Sequence, residues 1–166
     1  MYPEDYSRSF PPILGRSPKF FFLGTMPGKE SLRQEQYYAN PQNLFWNFLF
    51  QLFNSESKEN YLDKIVFLKQ NNIVLWDVCQ TCYRKGSLDS DIQKEIPNDI
   101  PNFIDQNPTI NKIIFNGQKA EKLYKKHFEF LNKIKYFTVL SSSPANAAFT
   151  YDQKLENWKL AIFNGG

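Results

Sequence analysis

Apolar residues gather in four short runs, at residues 19–23, 73–78, 110–115 and 134–140. Each is short enough for a strand buried on both faces. Between them the period changes to that of a helix. Residues 43–53 carry Leu44, Trp46, Phe48, Leu49 and Leu52 on one face, with Asn43 placed to cap the first turn, and residues 61–69 repeat Leu62, Ile65, Val66 and Leu68. Residues 118–130 and 155–163 read as two further helices. Strands separated by helices pair in parallel through right-handed crossovers. The expected fold is therefore α/β: a three-layer α/β/α domain around a central, mainly parallel four-stranded sheet, with residues 1–166 as one domain. Residues 84–107, broken by Pro97 and Pro101 and followed by Pro108, read as an irregular surface excursion with a short helix near 99–106. The leading residues 1–18 are expected to wrap the surface ahead of the first strand.

Every predicted strand runs into polar or turn-forming residues. The first leads to Gly24-Thr25-Met26-Pro27-Gly28, the second to Trp76-Asp77, the third to Asn116-Gly117, and the fourth to Ser141-Ser142-Ser143-Pro144-Ala145-Asn146-Ala147. Parallel strands bring all four ends to one edge of the sheet, where open α/β folds bind ligands. The first turn would then expose backbone N–H groups as a pocket floor. The segment from Tyr37 to Trp46 adds amides, aromatic rings and an Asn40–Pro41 bond just before a helix, which suits a flat, hydrogen-bonding ring.

Composition narrows this picture. A chain of 166 residues, 42% of them apolar, supports one well-buried core. The formal charge of +3, from 20 basic and 17 acidic residues, allows phosphate contact without arguing for it. With 16 Phe and 9 Tyr, most rings must be core, so any ring in a site is the exception. No run reaches the length of a membrane span and the first residues carry no basic-then-apolar signal, so no membrane contact and a cytoplasmic location are expected. Cys79 and Cys82 form a lone Cys-x-x-Cys after a strand-like run, which reads as two reduced structural thiols. Two cysteines and one histidine cannot build an all-cysteine cluster or zinc site, and no metal or cofactor is expected.

The turn GTMPG, the segments YYANPQNLFW, LWDVCQTCYRKGSLDSDI and IIFNGQKAEKLY, and the loop SSSPANA, in order from Lys19 to Asn146, resemble the uracil-DNA glycosylase superfamily. Within it they are most similar to the DNA-deoxyinosine (hypoxanthine-DNA) glycosylases. The resemblance implies a monomeric repair enzyme that flips a deaminated base out of DNA, hypoxanthine or uracil, and hydrolyses its bond to deoxyribose. The alternatives are a mismatch-specific uracil or thymine glycosylase and a non-catalytic nucleic-acid or nucleotide binder. No lysine is obviously placed for a strand-cleaving Schiff base.

The chain also departs from the pattern that it resembles. In mismatch-specific uracil glycosylases the turn carries an Asn that positions water, and here that position is Met26, whose thioether cannot polarise water. The resemblance to the deoxyinosine branch transfers the role to Asn43, although position alone makes Asn43 a helix cap. Where many members carry a His in the fourth-strand loop, this chain has Ser, and its one histidine, His127, falls in a Lys-flanked helical stretch. Gly24, Thr25, Met26, Pro27, Gly28, Tyr38, Phe45 and Asn116 are the expected base pocket, with Tyr38 stacking on the base. Asn116 is expected to donate to the base, and also fits a plain strand-to-helix turn. Ser141, Ser142, Ser143, Pro144 and Ala145 are expected to grip a DNA phosphate, a role the resemblance implies. Asp77 and Asp89 read as satisfied caps or turns, and Arg84 as solvated or meeting a phosphate.

Overall fold

The computed structural model describes residues 3–164. Met1 and Tyr2, at the start of the stretch expected to wrap the surface, and Gly165 and Gly166 lie outside the described residues. The elements run β1 (Tyr6–Arg8), β2 (Phe20–Gly24), α1 (Lys29–Gln34), α2 (Phe45–Leu52), α3 (Tyr61–Gln70), β3 (Ile73–Asp77), β4 (Cys79–Tyr83), a 3-10 turn (Asp89–Asp91), β5 (Gln93–Pro97), α4 (Ile100–Gln106), β6 (Lys112–Asn116), α5 (Gln118–His127), β7 (Lys135–Val139) and α6 (Tyr151–Phe163). The central sheet has the order β3-β2-β6-β7 and every pairing in it is parallel.

Alternation along these strands sorts the core into two layers, because successive side chains of a strand face opposite sides of the sheet. Phe21, Leu23, Val74, Ile113 and Phe115 pack on one side with Ile100 and Ile104 of α4 and Ala120, Leu123 and Tyr124 of α5. Phe22, Ile73, Leu75 and Ile114 pack on the other with α2, α3 and α6, where Phe22 meets Phe45 at 5.9 Å and stacks on Trp158 at 5.7 Å. Fully buried aromatic rings of this size contribute about 2–3 kcal/mol each by burial. The layers match the expected three-layer fold.

Three features escaped the sequence pattern. A second, antiparallel sheet of order β1-β4-β5 flanks the main one. Its strands are short, exposed in β5 and shifted in register between β4 and β5, so they carry no alternation to read. The leading stretch accordingly joins a sheet through β1 and bridges Leu75 through Ile13, besides crossing the surface. The six-residue helix α1 follows Gly28 directly. Helix α6 begins at Tyr151, four residues before the expected start, because Thr150 and Gln153 form a capping box, while α5 ends at His127, three residues early. Cys79 and Cys82 are free and buried in β4, not at a helix start.

Candidate active site

The strand parity that builds the core also builds the site. Gly24 pairs with Asp77 one step beyond Phe22 and Leu75 on the same face, and Asn116 stands likewise beyond Ile114. All three therefore end on the face covered by α2, at the carboxyl edge where β2 leads one way to β3 and β6 the other way to β7. A cavity of about 780 Å³ opens there. It is lined by the turn from Gly24 to Gly28, by Tyr38, Asn40 and Asn43 ahead of α2, by Asp77, Asp89 and Asn116, and by the loop from Ser141 to Asn146.

Main-chain bonds pin the floor. Val78 N–H donates to the Gly24 carbonyl at 2.9 Å and Cys79 N–H to that of Thr25 at 3.0 Å. Gly24 has no room for a side chain, since a Cβ there would stand 2.5 Å from Asp77 Oδ1 and 2.8 Å from the Tyr38 hydroxyl. Residues 84–91 latch on from below: Thr25 Oγ1 donates to Asp89 at 2.7 Å, Lys29 N–H donates to Ser87 Oγ at 2.8 Å, and Arg84 Nη2 donates to the Pro27 carbonyl. Arg84, expected to be solvated or on a phosphate, is thus buried, with Nη1 3.9 Å from Asp89.

Asn43 lines the cavity and also serves α2. Its Oδ1 accepts from Phe45 N–H at 3.0 Å, fixing the rotamer; a carbonyl oxygen has a second lone pair, and no acceptor among the described residues takes Nδ2. Tyr38 sits at a positive φ of 52°, which turns its ring back over Phe45 at 4.0 Å. Burial pushes its hydroxyl well above the usual tyrosine range, so it remains a donor. Phe45, expected in the pocket wall, is instead fully buried behind Tyr38 and does not line the cavity. Met26 lines it and is 6% exposed, anchored in the apolar core.

Asn116 has both amide hydrogens committed, to Ser142 Oγ at 2.9 Å and Tyr38 at 3.2 Å, while its Oδ1 accepts from Ser142 N–H at 3.0 Å. In this conformation it braces the cavity wall and has no free hydrogen for a base, contrary to the expected donor role. Ser142 is correspondingly inside: it is fully buried, which removes it from the surface expected to meet a phosphate. Ser141 and Ser143 are half-buried and accept from Ser143 N–H and Ala145 N–H at 3.2 Å each, leaving both O–H groups without an acceptor among the described residues. Pro144 and Ala145 are exposed beside them.

Asp77 is neither a cap nor a turn ligand, as the sequence had suggested. The residue is 4% exposed, and its Oδ2 is buried without a hydrogen-bond partner. Burial, then the charge of Asp89, raise it to about 8, against a smaller opposing pull from Arg84. Asp89 is also raised by burial, with Thr25 and Arg84 pulling it down. No pattern of spacing marks Asp77, because its isolation depends on three segments meeting.

The model of the uracil DNA glycosylase superfamily matches residues 11–164. A hypoxanthine DNA glycosylase of Methanosarcina acetivorans is 36% identical over 159 residues, 94% of this chain and 97% of that one. One of Methanosarcina barkeri is 34% identical over 142 residues, 84% and 87% of the two chains. The solution NMR structure of a Methanosarcina acetivorans protein provisionally described as a uracil DNA glycosylase superposes with a TM-score of 0.78 at 34% identity, covering 93% of this chain and 94% of that one. This chain belongs to the uracil DNA glycosylase superfamily.

Proposed function

We propose that the chain is a monofunctional DNA glycosylase acting as a monomer and a single domain on DNA that contains a deaminated base, hypoxanthine first and uracil second. It flips the base into the cavity and hydrolyses the bond to deoxyribose, leaving an abasic site. The observation that carries this reading is Asn43. Its amide lines the cavity, is held rigid by the first turn of α2, and keeps a lone pair of Oδ1 and both hydrogens of Nδ2 without a partner among the described residues. Bond cleavage builds positive charge on the sugar and negative charge on the base, so a fixed acceptor that orients water acts mainly in the transition state.

Other groups divide the remaining work. Tyr38, stiffened by the Phe45 ring and the Asn116 bond, offers a face for the base. The turn from Gly24 to Gly28 supplies the floor. Ser141, Ser143 and Ala145 present two O–H groups and a compact backbone to a phosphate, which positions the strand without reading it. The one lysine lining the cavity among the described residues, Lys29, is exposed to water, without the desolvation that makes a lysine a nucleophile, and no strand-cleaving step is assigned. No helix among the described residues is long and apolar enough to cross a membrane, and the reading places the enzyme with the DNA it repairs, inside the cell.

The test is excision from matched single- and double-stranded oligonucleotides carrying inosine, uracil, xanthine or adenine, scored as alkali-labile abasic product. Hypoxanthine release ahead of uracil, with none of adenine, is the expected result. Preference for uracil or thymine in mismatches would mean a mismatch-specific enzyme, and tight binding without release would mean a binder that has lost catalysis.

A further inference from the structure

We propose that Asp77 is the general acid of this site, donating its carboxyl proton to the base as the base leaves. The inference rests on the glycosylase reading above. The departing base takes both electrons of the bond to C1′, and a proton delivered to a base lone pair, N7 or O6 in hypoxanthine, relieves the charge that builds there. Water then bonds to C1′ and loses its proton to solvent, and the Asp77 carboxylate regains one from solvent. The balance needs no further reactant.

Geometry singles out Asp77. It ends β3 beside Gly24 on the cavity floor, and Gly24 lacks the Cβ that would collide with its Oδ1. The main chain at Asp77 is held by Asn98 Nδ2, which donates to the carbonyl of Asp77 at 2.8 Å and to that of Cys79 at 3.2 Å. The carboxyl itself receives no such support among the described residues. A buried carboxylate ordinarily collects two or three donors, and this one leaves Oδ2 with none. A neutral acid removes the conflict. The chain's one histidine cannot compete for the role, being bonded to Glu95 at 3.2 Å away from the cavity.

The neighbours agree. Asp89, approaching from the 3-10 turn, raises the Asp77 proton affinity, and Arg84, directly after β4, lowers it by less. Tyr37 and Tyr38 from the segment before α2, and Cys79 from β4, are the other titratable groups coupled to it, and burial keeps all three protonated. With the carboxyl held at about 8, the acid form predominates at neutral pH and is lost as the pH rises through that value.

The experiment measures single-turnover excision of hypoxanthine from pH 5 to 10, so that product release does not hide the chemical step. For the wild type the rate should fall about tenfold per unit above about pH 8. Asp77→Asn should lose ~10²-fold at pH 7 and lose that limb, since an amide hydrogen-bonds but yields no proton. Asp89→Asn, which removes the neighbouring charge, should move the limb to lower pH. Carbon-13 NMR of labelled aspartates checks the carboxyl independently of turnover and should show one titrating near 8 that disappears in Asp77→Asn. Excision with a flat alkaline profile, a limb that survives Asp77→Asn, or an Asp77 carboxyl titrating near 4 would each overturn the assignment while leaving the glycosylase reading intact. Absence of excision of any base by the wild type at every pH would overturn both.

Discussion

At the scale of single residues, Asn43 and the serine loop make separable predictions. Asn43→Ala should lower excision by ~10²-fold or more, the scale for a group that acts chiefly in the transition state, while the lost bond to Phe45 N–H costs about 1 kcal/mol of stability. Single-turnover rates beside a urea melt separate the two effects, and an unchanged rate would remove Asn43 from catalysis. Ser143 and Ser142 should part company although they are neighbours. Ser143→Ala should weaken binding to inosine-containing and normal duplex about equally and leave the salt dependence unchanged, because a hydroxyl releases no counterion. Ser142→Ala should instead lower stability by about 1–3 kcal/mol, since it strips Asn116 Nδ2 of its buried acceptor. Fluorescence anisotropy at several salt concentrations, with denaturation curves, distinguishes them. Loss of base choice in Ser143→Ala would show that the loop reads the base.

At the scale of elements, the cavity floor depends on residues 84–91, which belong to neither main layer. Arg84 ties the Pro27 carbonyl to Asp89, and Asp89 ties back to Thr25, so the turn after β2 is held from β4 and the 3-10 turn. Arg84→Leu should remove both attachments and leave the Pro27 carbonyl without its donor. The cost should be about 2–4 kcal/mol in a urea titration, with excision falling more than duplex binding. A variant as stable and active as the wild type would mean that the turn holds itself. This latch was invisible in the sequence because Arg84 stands in a polar stretch, where an arginine is ordinarily solvated. By contrast, the four strands and the α2 and α3 helices were legible to within two residues, because each carries a strong apolar period that the core merely completes.

For the whole molecule, stability should depend on pH in two opposite ways. The Asp77 carboxyl is raised from 3.8 to about 8, so between those values the folded state holds a proton that the unfolded chain has released, and stability falls as the pH rises through that window. Glu95, nearly buried between Lys126 and His127, is lowered from 4.5 to about 2, so its contribution is present above 4.5 and is lost as the pH falls toward 2. Asp77→Asn should therefore gain stability relative to the wild type from pH 5 to 8, and urea midpoints at pH 5, 6.5 and 8 check it. A constant difference between the two proteins would mean that Asp77 titrates normally. Local patterning in the sequence determined the α/β class, the parallel sheet, the edge at which the strand ends converge, and the family motifs that lead to Asn43, because period, turn chemistry and motif are properties of neighbouring residues. The tertiary structure alone decided which groups reach the cavity and in what state: Phe45 withdrawn behind it, Ser142 buried in its wall, Asn116 spent as a brace, Arg84 buried beneath the turn and Asp77 left without donors. The physical reason is that desolvation and hydrogen-bond competition depend on which distant segments close over a residue, and no local pattern encodes that.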